Sequence, residues 1–112
     1  MLRDLHALLL GDVLSPASRG QLLAWMTACT TGIRRLRAGV PADWRVADKT
    51  GSGDHGTAND IGILAPPGRA PVLVTVYLTR TRLSWAELDP VIAQVGAAVA
   101  AALAGTGTAS AI

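Results

Sequence analysis

Trp44-Arg45-Val46-Ala47-Asp48-Lys49-Thr50-Gly51-Ser52-Gly53-Asp54-His55-Gly56-Thr57-Ala58-Asn59-Asp60-Ile61 is the stretch on which the fold turns. Trp44 to Ser52 reads as a strand. Gly53-Asp54-His55-Gly56 is a four-residue turn rich in residues that tolerate positive φ, and Thr57 or Ala58 opens a second strand that runs to Ala65. The spacing therefore predicts a hairpin. Pro66-Pro67-Gly68-Arg69 is the next turn. Val72 to Thr79 carries an unbroken Val-Leu-Val-Thr-Val-Tyr-Leu run, which predicts a third strand buried on both faces. Three such strands in series make an antiparallel meander.

Helical patterns flank the meander. Met1 to Leu10 places Leu2, Leu5 and Leu9 on one side, with Gly11 as the stop. Ser15-Pro16 opens a second helix, serine as N-cap and proline at the first helical position. Leu22, Leu23, Trp25 and Met26 supply its apolar face, and its end falls near Ala28 or Cys29. Ile33 to Arg37 makes one short turn before Ala38-Gly39-Val40-Pro41 stops it. The last helix has two competing starts, a capping box at Ser84-Trp85-Ala86-Glu87 and Asp89-Pro90. It is apolar almost all round to about Ala104, a pattern that expects cover on more than one side. A loose tail is expected from Gly105 to Ile112. Trp25 and Trp44 are expected in the core and Trp85 half exposed.

With 112 residues, half of them apolar, the chain suits one domain. Aromatic residues are limited to Trp25, Trp44, Trp85 and Tyr77, so Leu, Val, Ile and Ala must build the core. The net charge is +2, and only Arg34, Arg35 and Arg37 cluster, without an aromatic among them. Nucleic acid is therefore not an expected partner. Cys29 is the only cysteine, which excludes an intrachain disulfide and a thiolate metal site. No metal or cofactor is expected. The apolar run from Val91 to Ala104 falls short of the roughly 20 residues that span a bilayer, and Leu8-Leu9-Leu10 is too short for a secretion signal.

Chemistry centres on Lys49, the only lysine of the chain. Strand alternation puts Thr50 and Ser52 on one side and Lys49 on the other. Gly51 and Gly53 leave the strand edge bare, so a ligand can lie against the backbone. Two hydroxyls beside a cation suit a small carboxylate. Gly51-Ser52-Gly53-Asp54-His55-Gly56 also spells a dinucleotide fingerprint, but a strand follows instead of a helix, and no acid stands about 20 residues on. His55 reads as a solvated turn residue, and Asn59 and Asp60 as anchors of the hairpin.

Lys49-Thr50-Gly51 is one of three signatures of class A β-lactamases and penicillin-binding proteins. The surrounding order resembles the C-terminal part of a class A serine β-lactamase, about the last two-fifths of the family's length. Leu22-Leu23-Ala24-Trp25-Met26, Thr30-Thr31-Gly32, Arg35 to Pro41, Trp44 to Asp60 and Gly68-Arg69-Ala70-Pro71 carry the resemblance. It implies part of the family's α/β sandwich, a three-stranded antiparallel meander with flanking helices over residues 1–104. It also implies a family activity, hydrolysis of the β-lactam ring through an acyl-serine. Lys49 then matches the motif lysine, Thr50 the hydroxyl that bonds the substrate carboxylate, and Ser52 the position whose backbone N–H completes the oxyanion hole. Members that lack an arginine at the place of Ala58 bring a carboxylate-binding guanidinium from the place of Arg35. Arg37 is expected to brace the loop, and His55 takes a rim position.

The other two signatures are missing. A Ser-x-x-Lys ending at Lys49 needs serine at position 46, where Val46 stands; no Ser-Asp-Asn occurs, and Glu87 is the only glutamate. These residues are thus expected to be inactive alone and to pair with an N-terminal portion of the same family. Stripped of that cover, the last helix and third strand leave a few hundred Å² of apolar surface bare, about 25 cal/mol per Å², enough to predict partial unfolding or aggregation in isolation. Two alternatives stay open: a non-catalytic carboxylate-binding or interaction remnant, and a part of a penicillin-recognising peptidase. Family members are periplasmic or secreted, and the compartment of this chain stays open.

Overall fold

The computed structural model describes residues 1–110, with side chains through residue 105. Strands β1 (Arg45–Gly53), β2 (Thr57–Ala65) and β3 (Val72–Leu78) form one antiparallel sheet in the order β1-β2-β3. The β1/β2 register runs from Arg45 opposite Ala65 to Gly53 opposite Thr57, and Ala58 to Leu64 of β2 pairs with Leu78 to Val72 of β3. The hairpin closes through Asp54, His55 and Gly56, the last two at φ near +60°. A histidine therefore takes a left-handed position next to the glycine.

Helices lie on both faces of the sheet. On one, α3 (Leu36–Gly39) and α4 (Trp85–Ser110) enclose Leu36, Val46, Leu64, Val74, Leu88 and Ile92. On the other, α1 (Leu2–Leu5), its π-helical continuation His6–Leu10, and α2 (Pro16–Thr27) pack Leu5, Leu9 and Met26 on Ala47 and Ile63. Strand alternation sends Val46 to the first core and Ala47 to the second. Ser15 caps α2 by accepting the Ser18 N–H at 3.2 Å, with Pro16 at the first helical position.

The start of α4 is settled by its capping box. The Glu87 N–H reaches Ser84 Oγ at 3.3 Å and the Ser84 N–H reaches Glu87 Oε1 at 3.2 Å. Pro90 consequently sits inside the helix. The helix outruns the expected stop near Ala104 and continues to Ser110; residues 111–112, the end of the expected loose tail, lie outside the described residues. Its 21 residues from Trp85 to Gly105, which contain an 18-residue window of mean hydropathy 1.5, are long and apolar enough to cross a membrane by length and composition. The shorter run considered in the sequence understated this. A helix that packs Leu88 and Ile92 into a core passes the same test.

Two sequence expectations are corrected. Trp25 is exposed, not buried, because Met26 and Leu22 are the α2 residues that turn toward the sheet. The β3 strand is buried on one face at Val74 and Val76, whereas Tyr77 on the other is exposed.

Close approach of α3 to α4 depends on two glycines. A Cβ at Gly39 runs into the Ala93 carbonyl, and one at Gly96 into the Leu36 carbonyl. Both obstacles are backbone and cannot rotate away. Gly39→Ala or Gly96→Ala is expected to cost roughly 1–3 kcal/mol by overpacking, read as a lower denaturation midpoint. Gly20→Ala is the contrasting control: it lies inside α2 with nothing near its Cβ position, and alanine there is expected to gain about 1 kcal/mol.

Candidate active site

The site follows the exposed end of β1, an edge strand. Lys49 is exposed, and its Nζ donates to the Thr50 carbonyl at 2.7 Å. It makes no ion pair among the described residues. No carboxylate of the described residues thus pairs with its charge. On the opposite face of the strand, Thr50 Oγ1 meets Thr31 Oγ1 at 2.6 Å, and Thr31 in turn lies 3.4 Å from Cys29 Sγ. Ser52 Oγ accepts from Arg35 Nη2 at 2.8 Å. Both hydroxyls are held from behind by residues of the Thr30–Arg35 turn.

Gly51 and Gly53 meet only ordinary contacts at their Cβ positions, with Asn59 and Thr57. No internal crowding calls for glycine at either place. Without side chains at these two half-buried positions, the backbone of the edge is easier for a ligand to approach.

Arg35 is almost fully buried. Its Nε donates to Asp89 Oδ1 at 2.8 Å, and its Nη1 to the carbonyls of Gly51 (3.0 Å) and Asn59 (2.7 Å). With the bond to Ser52, four of the five guanidinium donors are engaged within the chain. The side chain pins β1, β2 and the first turns of α4 to one another. The Asp89 carboxylate offsets much of its charge. The carboxylate-binding role expected of Arg35 is left with one guanidinium N–H outside these bonds, and the side chain stands behind the edge, touching it through Ser52.

Beneath the motif lie two fully buried carboxyls, Asp48 and Asp60. Arg37 Nη2 donates to Asp48 Oδ1 at 3.2 Å and to the carbonyls of Val46 and Thr27 at 3.0 and 3.3 Å, so it braces the loop as expected. Asp60 Oδ2 accepts the Leu36 N–H at 3.1 Å and anchors the hairpin to α3. Burial, with Asp48 beside it, pushes the Asp60 carboxyl up to about 8. His55 is exposed in the turn, and among the described residues no cluster of three or more His, Cys, Asp or Glu is placed to hold a metal.

An apolar groove of about 610 Å³ opens on the Lys49 side, lined by Leu5, Leu9, Leu22, Trp25, Met26 and Ile61, with Thr31 and Lys49 at one end. Sequence reasoning brought Lys49, Thr50, Gly51, Ser52 and Gly53 together correctly along one strand. It missed Thr31, which holds the Thr50 hydroxyl, and Asp89, which holds Arg35. The Thr30-Thr31-Gly32 break was the only local signal for the first. Nothing near Arg35 in sequence announced the second.

Residues 1–103 match the beta-lactamase enzyme family. The chain is 53% identical over 78 residues to beta-lactamase AST-1 of Nocardia asteroides, which covers 70% of this chain and 25% of that relative. It is 45% identical over 101 residues to a beta-lactamase of Streptomyces albus G, covering 90% and 32%. Among solved structures, an ancestral class A beta-lactamase superposes with TM-score 0.89 at 60% identity over 91% of this chain and 39% of that one. The class A beta-lactamase PenP from Rhodopseudomonas palustris gives 0.88 at 60% identity, again over 91% and 39%. The chain thus spans between a quarter and two-fifths of the length of these relatives. A family match over residues 1–103, with class A structures superposing over 91% of the chain, shows that the chain belongs to the beta-lactamase enzyme family, in its class A branch.

Proposed function

We propose that these residues form the wall of a serine β-lactamase site that grips the substrate carboxylate and borders the oxyanion hole, and that they serve hydrolysis of the β-lactam amide together with a portion of the family fold that carries the nucleophile. The observation that carries this reading is the β1 edge: a lysine with no carboxylate partner among the described residues, two hydroxyls fixed from behind, and two glycines whose Cβ positions meet only ordinary contacts. Lys49 supplies the field for the carboxylate and Thr50 its hydroxyl bond. Ser52 lends a backbone N–H to the developing oxyanion. Arg35 is a positioning residue, holding Ser52 in place. In the reaction a serine oxygen bonds the ring carbonyl carbon, the C–N bond breaks, and the ring nitrogen takes up a proton. Water then cleaves the ester.

The serine, its neighbouring lysine and the deacylating glutamate lie outside these 112 residues. Two surfaces suit the portion that carries them. Among the described residues the outer edge of β3 has no strand partner, and only 17% of the apolar window of α4 is buried. The larger part of the solved relatives' length also lies outside the match. A strand added to β3, with apolar side chains laid over α4, closes both.

The test is turnover of a chromogenic cephalosporin. The 112-residue chain alone is expected to give none. Mixed with the part of the Streptomyces albus G relative that this chain does not match, it is expected to hydrolyse the drug and to protect the outward-facing β3 amides from hydrogen exchange. Turnover by the chain alone, or a stable mixed assembly without turnover, overturns the reading. Benzylpenicillin binding without turnover in that assembly marks a carboxylate-binding remnant instead.

A further inference from the structure

Asp48 and Asp60 face each other across the β1/β2 pair. In register Asp60 stands opposite Thr50, so Asp48, two residues earlier, is its diagonal neighbour on the same face. Each carboxyl has one oxygen satisfied, Asp48 Oδ1 by Arg37 and Asp60 Oδ2 by the Leu36 N–H. The other two, Asp48 Oδ2 and Asp60 Oδ1, are buried without a partner. The two side chains are within hydrogen-bonding reach of each other. Carboxylate oxygens only accept, so two ionised groups leave both orphaned, whereas one proton makes each the other's partner.

The surrounding charges say which group carries it. Arg37, from α3, is in direct contact with Asp48 and favours its ionised form. Arg35 lies near Asp60 but is paired to Asp89 of α4. Lys49 extends from the other face of β1, and β3 brings only Val76 opposite Asp60. Gly32, whose missing Cβ leaves room for Asp48 Oδ2, adds no charge.

We propose that Asp48 and Asp60 hold one proton between them, on Asp60 Oδ1 and donated to Asp48 Oδ2, and that this shared proton is the device that positions the Lys49–Thr50 strand against β2. It stands apart from the function proposed above and needs neither substrate nor partner. Loss of the proton leaves two like charges under Thr50, one on each strand, balanced by Arg37 at Asp48 and, more weakly because it is paired to Asp89, by Arg35 near Asp60.

The sign of the pH dependence follows. The folded carboxyl of Asp60 releases its proton only near 8, the unfolded one near 3.8. Between those values the folded state holds a proton the unfolded state has lost. Stability from this source is fully present below the unfolded value and is lost as pH rises through the folded one. In the middle of that window the folded-to-unfolded ratio falls about tenfold per pH unit.

The experiment compares the chain with Asp60→Asn between pH 5 and 9. Asparagine keeps an acceptor for the Leu36 N–H and places N–H where the shared proton sat. Denaturation followed by circular dichroism is expected to show the steep loss of stability in the original chain, and little slope with higher stability at pH 8 in Asp60→Asn. If the chain is too marginal to fold at pH 8, its ordered signal grows on acidification and Asp60→Asn is folded at pH 8. The amide shifts of Lys49 and Thr50 are expected to move with the Asp60 carboxyl carbon, at one midpoint, in the original chain alone. Parallel pH profiles for the two chains, or Asp60→Asn less stable at pH 8, or motif amides that ignore the carboxyl titration, overturn the proposal.

Discussion

Replacing Arg35 by alanine is expected to cost about 3–5 kcal/mol, the range for removing one partner of a buried ion pair. The residue is 5% exposed and its side chain makes four hydrogen bonds, to Asp89, Gly51, Asn59 and Ser52. Alanine leaves the Asp89 carboxylate without its cation. It also leaves the carbonyls of Gly51 and Asn59 without their donor, and each unsatisfied polar group adds about 1–3 kcal/mol when no water replaces it. The loss rivals the whole stability of a small domain. At 25 °C the variant should show little of the original circular-dichroism signal. Arg35→Lys is expected to fall between, since an ammonium keeps the charge near Asp89 but lacks the fork that spans two strands. A variant with alanine at 35 that melts like the original would show that these bonds contribute nothing, and Arg35 would no longer explain how the motif edge is held.

Lys49→Ala carries the second large effect, and it is catalytic instead of structural. Lys49 is exposed, its one bond is to the carbonyl of the next residue, and the core needs nothing from it. Its removal should leave the melting curve within about 0.5 kcal/mol, as for surface substitutions generally. In the assembly with the complementary portion, the same change should cut kcat/KM for a chromogenic cephalosporin by about 10–10²-fold, matching loss of one charged contact to the substrate carboxylate worth about 1.5–3 kcal/mol. The contrast between the two variants is the informative part. Arg35→Ala is expected to lose activity by losing structure, and Lys49→Ala to lose activity with structure intact. A Lys49→Ala assembly with undiminished turnover would remove the lysine from the site.

Much of the fold was legible because its signals are local. Gly53 to Gly56 marks the turn, the residues on either side alternate at period two, and the register of β1 with β2 follows once the turn is set. The capping box of α4 was legible too, although Asp89-Pro90 competed with it. The competition was resolved by the reciprocal Ser84–Glu87 bonds. Proline then fits at an inner position of the helix at the cost of one backbone hydrogen bond. Trp25 was misjudged because a helix with leucine, tryptophan and methionine close together has two possible apolar faces. Only the sheet it lands on selects between them. The same holds for Tyr77, which alternates correctly but points to a stretch of sheet that α1 and α2 leave uncovered.

Residue spacing by itself determined the three strands, their antiparallel order, and the alignment of Lys49, Thr50 and Ser52 along one edge with bare glycines between, because strand geometry dictates which neighbours share a face. The partners of the buried charges were decided only in three dimensions. Arg35 meets Asp89 from 54 residues away. Asp48 meets Arg37, and Thr50 meets Thr31, through the packing of α3 and its preceding turn on the sheet. A backbone pattern is written in the order of residues along the chain. A buried charge is satisfied by whatever donor or acceptor the packed elements bring to it, and linear order carries no record of that meeting.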